Sequence, residues 1–162
     1  MKSIISIIIA GTILFALPAF AQTAANANSN MEILMQKIKA DKKLLVAANM
    51  DLTDAEGKAF WPLYDAYQNE LQKIDGRLDK TIEDYAVAYN QGAGAISNDT
   101  AKALLNEMIS VEEHEAKLKR TYAEKIGAVL SSAKTARYIQ IESKIRAGLR
   151  YELAQEIPLV YQ

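Results

Sequence analysis

The chain has 162 residues, 19 basic against 20 acidic side chains, a formal net charge of −1, one histidine and no cysteine. This near-neutral balance argues against a nucleic-acid partner, which selects a strongly basic face. The lack of thiols excludes a disulfide framework, cysteine nucleophiles and thiolate metal sites. Gly and Pro number only 7 and 3, while Ala, Leu, Lys, Glu and Gln dominate, which is the composition of long helices.

Residues 1–21 read as a cleavable export signal. Lys2 is followed by an apolar run from Ile4 to Leu17, then Pro18 and the small-x-small pattern Ala19-Phe20-Ala21. The apolar run falls short of the roughly 20 residues that span a bilayer. The mature chain is therefore expected to begin at Gln22, outside the cytoplasm, without stable membrane insertion and without access to ATP. Lys2 is the only charge in the signal, so its removal takes the net charge from −1 to −2.

Residues 22–30 are small and polar and read as a flexible leader. Residues 31–157 read as a single all-helical domain. A first helix is expected over Met31 to Asn49, with Leu34, Ile38, Leu45 and Ala48 on its apolar face. Leu52-Thr53-Asp54-Ala55-Glu56 then opens a second helix. Thr53 is placed to accept from the backbone of Glu56, and Glu56 to reach back to Thr53, as a capping box.

Phe60, Tyr64, Tyr67, Leu71, Ile74, Leu78, Ile82, Tyr85 and Tyr89 follow at steps of four and three, the spacing of a coiled-coil seam. From Asp54 to Asn90 this helix would extend about 55 Å at 1.5 Å per residue. Pro62 lies inside it and is expected to kink it. Gln91-Gly92-Ala93-Gly94-Ala95 breaks the helix.

Ser97 or Asn98 caps a third helix reaching about Leu130, with a seam of Leu104, Met108, Val111, Glu115, Leu118, Tyr122, Ile126 and Val129. Ser131 or Ser132 caps a fourth to about Gln155, with Tyr138, Ile141, Ile145, Leu149 and Leu153 inward. Pro158 ends it and leaves residues 158–162 as an apolar tail. No segment alternates with period two, so the expected class is all-α, a long-helix hairpin of four helices. A stripe this long needs other long helices beside it, and a symmetric homodimer is the simplest way to bury what remains.

The catalytic inventory is sparse. There is no nucleophile elbow, phosphate-binding glycine loop or zinc-protease helix motif, and no cofactor or enzymatic activity is expected. His114 stands in Glu112-Glu113-His114-Glu115, but its helical neighbours Ser110, Val111, Lys117 and Leu118 are poor metal ligands. The eight tyrosines outnumber Phe and Trp together. A ring with a polar tip serves either a packed core or a partly wet binding surface. Arg137, Lys144, Arg146 and Arg150 lie on the last helix. They serve either as a basic rim for acidic partners or as partners of Glu142, Glu152 and neighbouring helices.

Two segments carry a family resemblance. Leu52-Thr53-Asp54-Ala55-Glu56 resembles the first Leu-Thr-x-x-Gln motif of the Spy/CpxP family of periplasmic helical proteins, with Glu56 in place of Gln. Val129-Leu130-Ser131-Ser132-Ala133-Lys134-Thr135-Ala136-Arg137-Tyr138 resembles the second, with Ser131 for Thr and Lys134 for Gln, followed by a similar basic-aromatic helix start. The layout is similar over about Met31 to Ala154. Phe60-Trp61-Pro62-Leu63-Tyr64 and Arg150-Tyr151-Glu152-Leu153-Ala154 depart from the best-known members and fit a separate branch.

The resemblance implies a cradle-like antiparallel homodimer in the periplasm. It also implies an ATP-independent chaperone for unfolded envelope proteins, a regulatory partner of an envelope-stress sensor kinase, or a weakly metal-responsive stress protein. From residue type, the candidate client contacts are Tyr85, Tyr89, Tyr122, Arg137, Arg146 and Arg150. The helix-capping positions are Leu52, Thr53 and Glu56 in the first motif and Leu130, Ser131 and Ser132 in the second.

Overall fold

A computed structural model of the chain describes residues 41–92 and 94–160. The export signal, the leader, the first ten residues of the expected first helix and the last two residues of the tail lie outside the described residues. The chain divides into two compact units, Met1–Leu44 and Leu45–Gln162. Of the first, residues 41–44 are described and are helical.

Among the described residues the protein is all-α. Residues 41–50 are helical (α1) and are followed by α2 (Asp54–Gln91), α3 (Asn98–Gly127) and α4 (Ser132–Glu156), with no strand. No helix among the described residues is long and apolar enough to cross a membrane.

Each long helix starts at a side-chain cap. Thr53 stands extended ahead of α2, its hydroxyl accepting from the Glu56 N–H at 3.3 Å while the Glu56 carboxylate accepts from the Thr53 N–H at 2.9 Å. This is the expected capping box, and it satisfies two of the donors that a helix start leaves open. Ser97 caps α3 by accepting from the Thr100 N–H at 3.1 Å, and Ser131 caps α4 by accepting from the Lys134 N–H at 3.3 Å. α2 is 38 residues long and passes through Pro62 without interruption.

Glycines make the reversal between α2 and α3. Gly94 has φ 99°, a left-handed conformation that L side chains rarely adopt. A Cβ on Gly92 would meet the Ala95 carbonyl oxygen at 1.7 Å. The chain then runs antiparallel. Tyr67 of α2 packs on Tyr122 of α3, and further along Arg77 of α2 reaches Glu107 and Ser110 of α3. α4 runs back along α3 and parallel to α2, meeting first Phe60, then Gln68 and then Asp75.

The core gathers at one end of this bundle. Val46 and Met50 of α1, Phe60, Tyr64, Tyr67 and Leu71 of α2, Leu118, Tyr122 and Ile126 of α3, Leu130 of the turn and Tyr138 of α4 form one buried apolar cluster. Tyr138 is its hub, with its ring 5.1 Å from Phe60 at 82°, 6.1 Å from Tyr64 at 64° and 6.2 Å from Tyr67 at 78°. Edge-to-face contacts of this kind add about 0.5–1.5 kcal/mol each beyond the area they bury. Tyr64, Tyr67, Tyr122 and Tyr138 are thus packing residues.

Three details of the sequence reading are corrected. In α1 the buried positions are Val46 and Met50, whereas Leu45 and Ala48 face solvent, because Val46 and Met50, one turn apart, are the pair that packs into the aromatic core. Val129 leaves the α3 seam because the helix ends at Gly127, and in the turn Leu130 takes the buried place. In α4 the inward stripe is Tyr138, Glu142 and Arg146, while Leu149 is exposed. Arg146 turns inward to the carboxylates of Asp75 on α2 and Glu115 on α3, and Glu142 to the Gln68 amide on α2.

Candidate functional site

Beyond the aromatic core the helix interfaces become ionic. Arg146, at one turn's spacing from Glu142, extends its guanidinium between α2 and α3. It donates to Asp75 Oδ1 at 2.6 Å and to Glu115 Oε2 at 2.6 Å. Arg150, one turn later, donates to the same Glu115 oxygen and to Glu112 Oε1, both at 3.0 Å. Both side chains of the Arg146–Glu115 pair are only 6% exposed.

Burial alone would raise the Glu115 carboxyl pKa, but the two guanidinium groups outweigh it and hold the group below the usual carboxylate range. Burial likewise opposes the charge on Arg146, and the carboxylates of Glu115 and Asp75 overcome it.

Glu142 accepts from Gln68 Nε2 at 2.8 Å, and the same amide lies 3.4 Å from the Tyr138 hydroxyl. Two buried polar atoms in this region have no hydrogen-bond partner, the Tyr67 hydroxyl and Arg146 Nε.

Past the ionic layer, at the end of the α2–α3 hairpin, the lining turns apolar again. A cleft of about 300 Å³ opens between Ile82, Tyr85, Leu104, Leu105 and Met108 on the helices and the C-terminal segment Ile157–Val160. Leu105 is 59% exposed and Leu159 87%. Tyr85 donates its hydroxyl to the Pro158 carbonyl at 2.7 Å, and burial raises its pKa. A second hollow, at the start of α2, is bordered by Thr53, Asp54, Lys58, Trp61 and Pro62.

The structure separates the candidate client contacts. Tyr85 and Tyr89 are half-buried, pack ring to ring at 5.8 Å and sit at the apolar end of the hairpin. Arg137 is exposed near the start of α4. Tyr122 lies in the core and donates to Glu70 at 2.6 Å, its pKa pushed up to about 12 by burial and that carboxylate. Arg146 and Arg150 are engaged by carboxylates of α2 and α3. Of the two readings the sequence offers for these arginines, the ion pairs of Arg146 and Arg150 fit that of partners of neighbouring helices.

The cleft itself escaped sequence reasoning. In the sequence Ile82, Leu104 and Met108 read as seam and Tyr85 as a candidate client contact, and the apolar tail is the signal that bears on the cleft.

His114 is exposed, its Nδ1 2.6 Å from the Ser110 carbonyl oxygen. Among the described residues no group of three or more His, Asp or Glu side chains is arranged to hold a metal ion. The cleft offers apolar contact and the Tyr85 hydroxyl as a donor. No protein-family model matches the chain, and no curated protein or solved structure is detectably similar to it.

Proposed function

We propose that the chain is an exported, Spy/CpxP-like, ATP-independent chaperone that binds unfolded envelope polypeptides in the periplasm, acting as a homodimer. The observation that carries this reading is the apolar cleft at the hairpin end, open to solvent and lined in part by exposed Leu105, Leu159 and Val160. Exposed apolar surface of this kind marks an interaction site. Contact with it is reversible because it rests on burial of small areas and needs no nucleotide. Tyr85 lines the cleft and Tyr89 packs against its ring, which offers a flat, amphipathic surface to varied segments.

The test is the aggregation of several unrelated denatured proteins, diluted into ATP-free buffer with and without the mature chain. The expected result is suppression that rises with dose for most clients. Suppression of none would overturn the reading and leave a dedicated partner, such as a stress sensor kinase, as the alternative.

A further inference from the structure

The C-terminal segment leaves α4 at Ile157, whose backbone is extended (φ −89°, ψ 113°), the conformation favoured ahead of a proline. Ile157, Pro158, Leu159 and Val160 then form one wall of the apolar cleft. The segment is held on one side by the Ile157 N–H, which donates to the Leu153 carbonyl at 3.1 Å, and on the other by the Tyr85 hydroxyl on the Pro158 carbonyl.

We propose that this cleft is a docking groove for extended, apolar, proline-containing stretches of another polypeptide, and that residues 157–160 are its built-in competitor. The inference rests on the reading that the chain binds non-native polypeptide, and it names where and in what form.

The seated tail itself defines the chemistry of the occupant. An extended backbone in an apolar groove must satisfy its N–H and C=O groups or lose free energy on burial. Proline removes one donor outright, and Tyr85 supplies a donor for the proline's own carbonyl. The groove thus suits an extended stretch with a proline opposite Tyr85 and apolar neighbours for Leu104, Leu105 and Met108. The tail meets that description yet fits loosely, because Leu159 is 87% and Val160 45% exposed. About 300 Å³ remains beside it, at the lower end of the range in which proteins bind small ligands. A tail held this lightly yields to a better-fitting segment.

The experiment uses the full chain and a fluorophore-labelled peptide with the sequence of residues Glu156–Gln162. Binding is measured by anisotropy to the wild type, to an Ile157→Asp/Val160→Asp variant whose own tail no longer suits an apolar groove, and to Leu105→Asp in that background. Leu105 is a surface position, so its substitution leaves the core intact, and circular dichroism verifies the fold. The tail variant is expected to bind the peptide on the order of tenfold more tightly than the wild type, because the competing state is removed. Leu105→Asp is expected to abolish binding.

Equal affinity for wild type and tail variant overturns the proposal, as does binding that survives Leu105→Asp. So does a wild-type dimer in sedimentation that Leu105→Asp dissolves, which would make a second copy's tail the occupant.

Client aggregation, read in parallel, separates the two claims. Peptide binding without suppression keeps the groove and removes the chaperone reading. Suppression with no peptide binding removes the groove and keeps the chaperone reading.

Discussion

Lys134 Nζ lies 2.6 Å from Glu56 Oε2, joining the first turn of α4 to the first turn of α2 across 78 residues of chain. The same ammonium donates to the Asp51 carbonyl at 2.7 Å, just ahead of the α2 cap. Glu56 is the third residue of its helix and Lys134 of its own, each the partner of a capping hydroxyl. The two motif-like segments thus meet, and a charge pair forms between the positions where the resembled family places glutamine.

The pair makes stability depend on pH with a definite sign. Lys134, followed by the Thr53 backbone N–H, holds the Glu56 carboxyl below its ordinary range. A lowered folded pKa gives stabilisation that is present above the ordinary carboxylate range and is lost as pH falls through the lowered value. Thermal melts of Lys134→Met across acidic pH are expected to show a shallower loss of Tm than the wild type. An acid limb of unchanged steepness would mean that the pair adds nothing there.

The caps themselves are separately testable. Thr53→Ala and Ser131→Ala each remove a hydroxyl acceptor from the first turn, and each is expected to cost about 1 kcal/mol in urea unfolding. Thr53→Ser is expected to restore most of the loss. A Thr53→Ala curve that overlays the wild type would show that the capping box does not form in solution.

Arg146 carries the largest expected penalty outside the aromatic core. Arg146→Ala leaves Glu115 buried with only the partly exposed Arg150 and the distant Lys119 beside it. Breaking one side of a buried pair costs about 3–5 kcal/mol. Replacing the group as a whole, Arg146→Met with Glu115→Leu and Asp75→Asn, is expected to recover most of that loss. If the single and triple variants unfold at the same urea concentration, the cost arises from lost packing rather than from the stranded charge.

Tyr67 is expected to show the opposite behaviour. Its ring packs edge-on against Tyr122 and Tyr138, but its buried hydroxyl has no hydrogen-bond partner. Tyr67→Phe keeps the ring and removes the unsatisfied group, so stability is expected to hold or to rise by up to about 1 kcal/mol. A loss greater than that would reveal a bond formed by the hydroxyl in solution. Tyr138→Phe is the natural comparison, since its hydroxyl lies within reach of Gln68.

The helices were legible because their signals are local. Thr53 with Glu56, Ser97 ahead of α3, Ser131 ahead of α4 and the spacing of Phe60, Tyr64, Tyr67 and Leu71 each specify structure within a turn or two. What escaped depends on residues far apart in the chain. Glu142 and Arg146 face inward on α4 because Gln68, Asp75 and Glu115 meet them there, and no periodicity in α4 announces that. Reading Leu149 as part of the inner face followed apolarity where ion pairing decided the outcome. The cleft was hidden for the same reason. Ile82, Leu104 and Met108 look like seam, and only the return of Pro158 to Tyr85 shows that the seam ends in an open groove.

The most direct test of the account is to locate a bound client on the chain. Methyl and aromatic NMR spectra of the mature protein would be recorded during titration with a permanently unfolded polypeptide. Saturable shifts are expected, concentrated at Tyr85, Leu104, Leu105 and Met108, with the Tyr138 hub unmoved. A spectrum unchanged at excess client, or changes confined to the Trp61 end of the bundle, would contradict it.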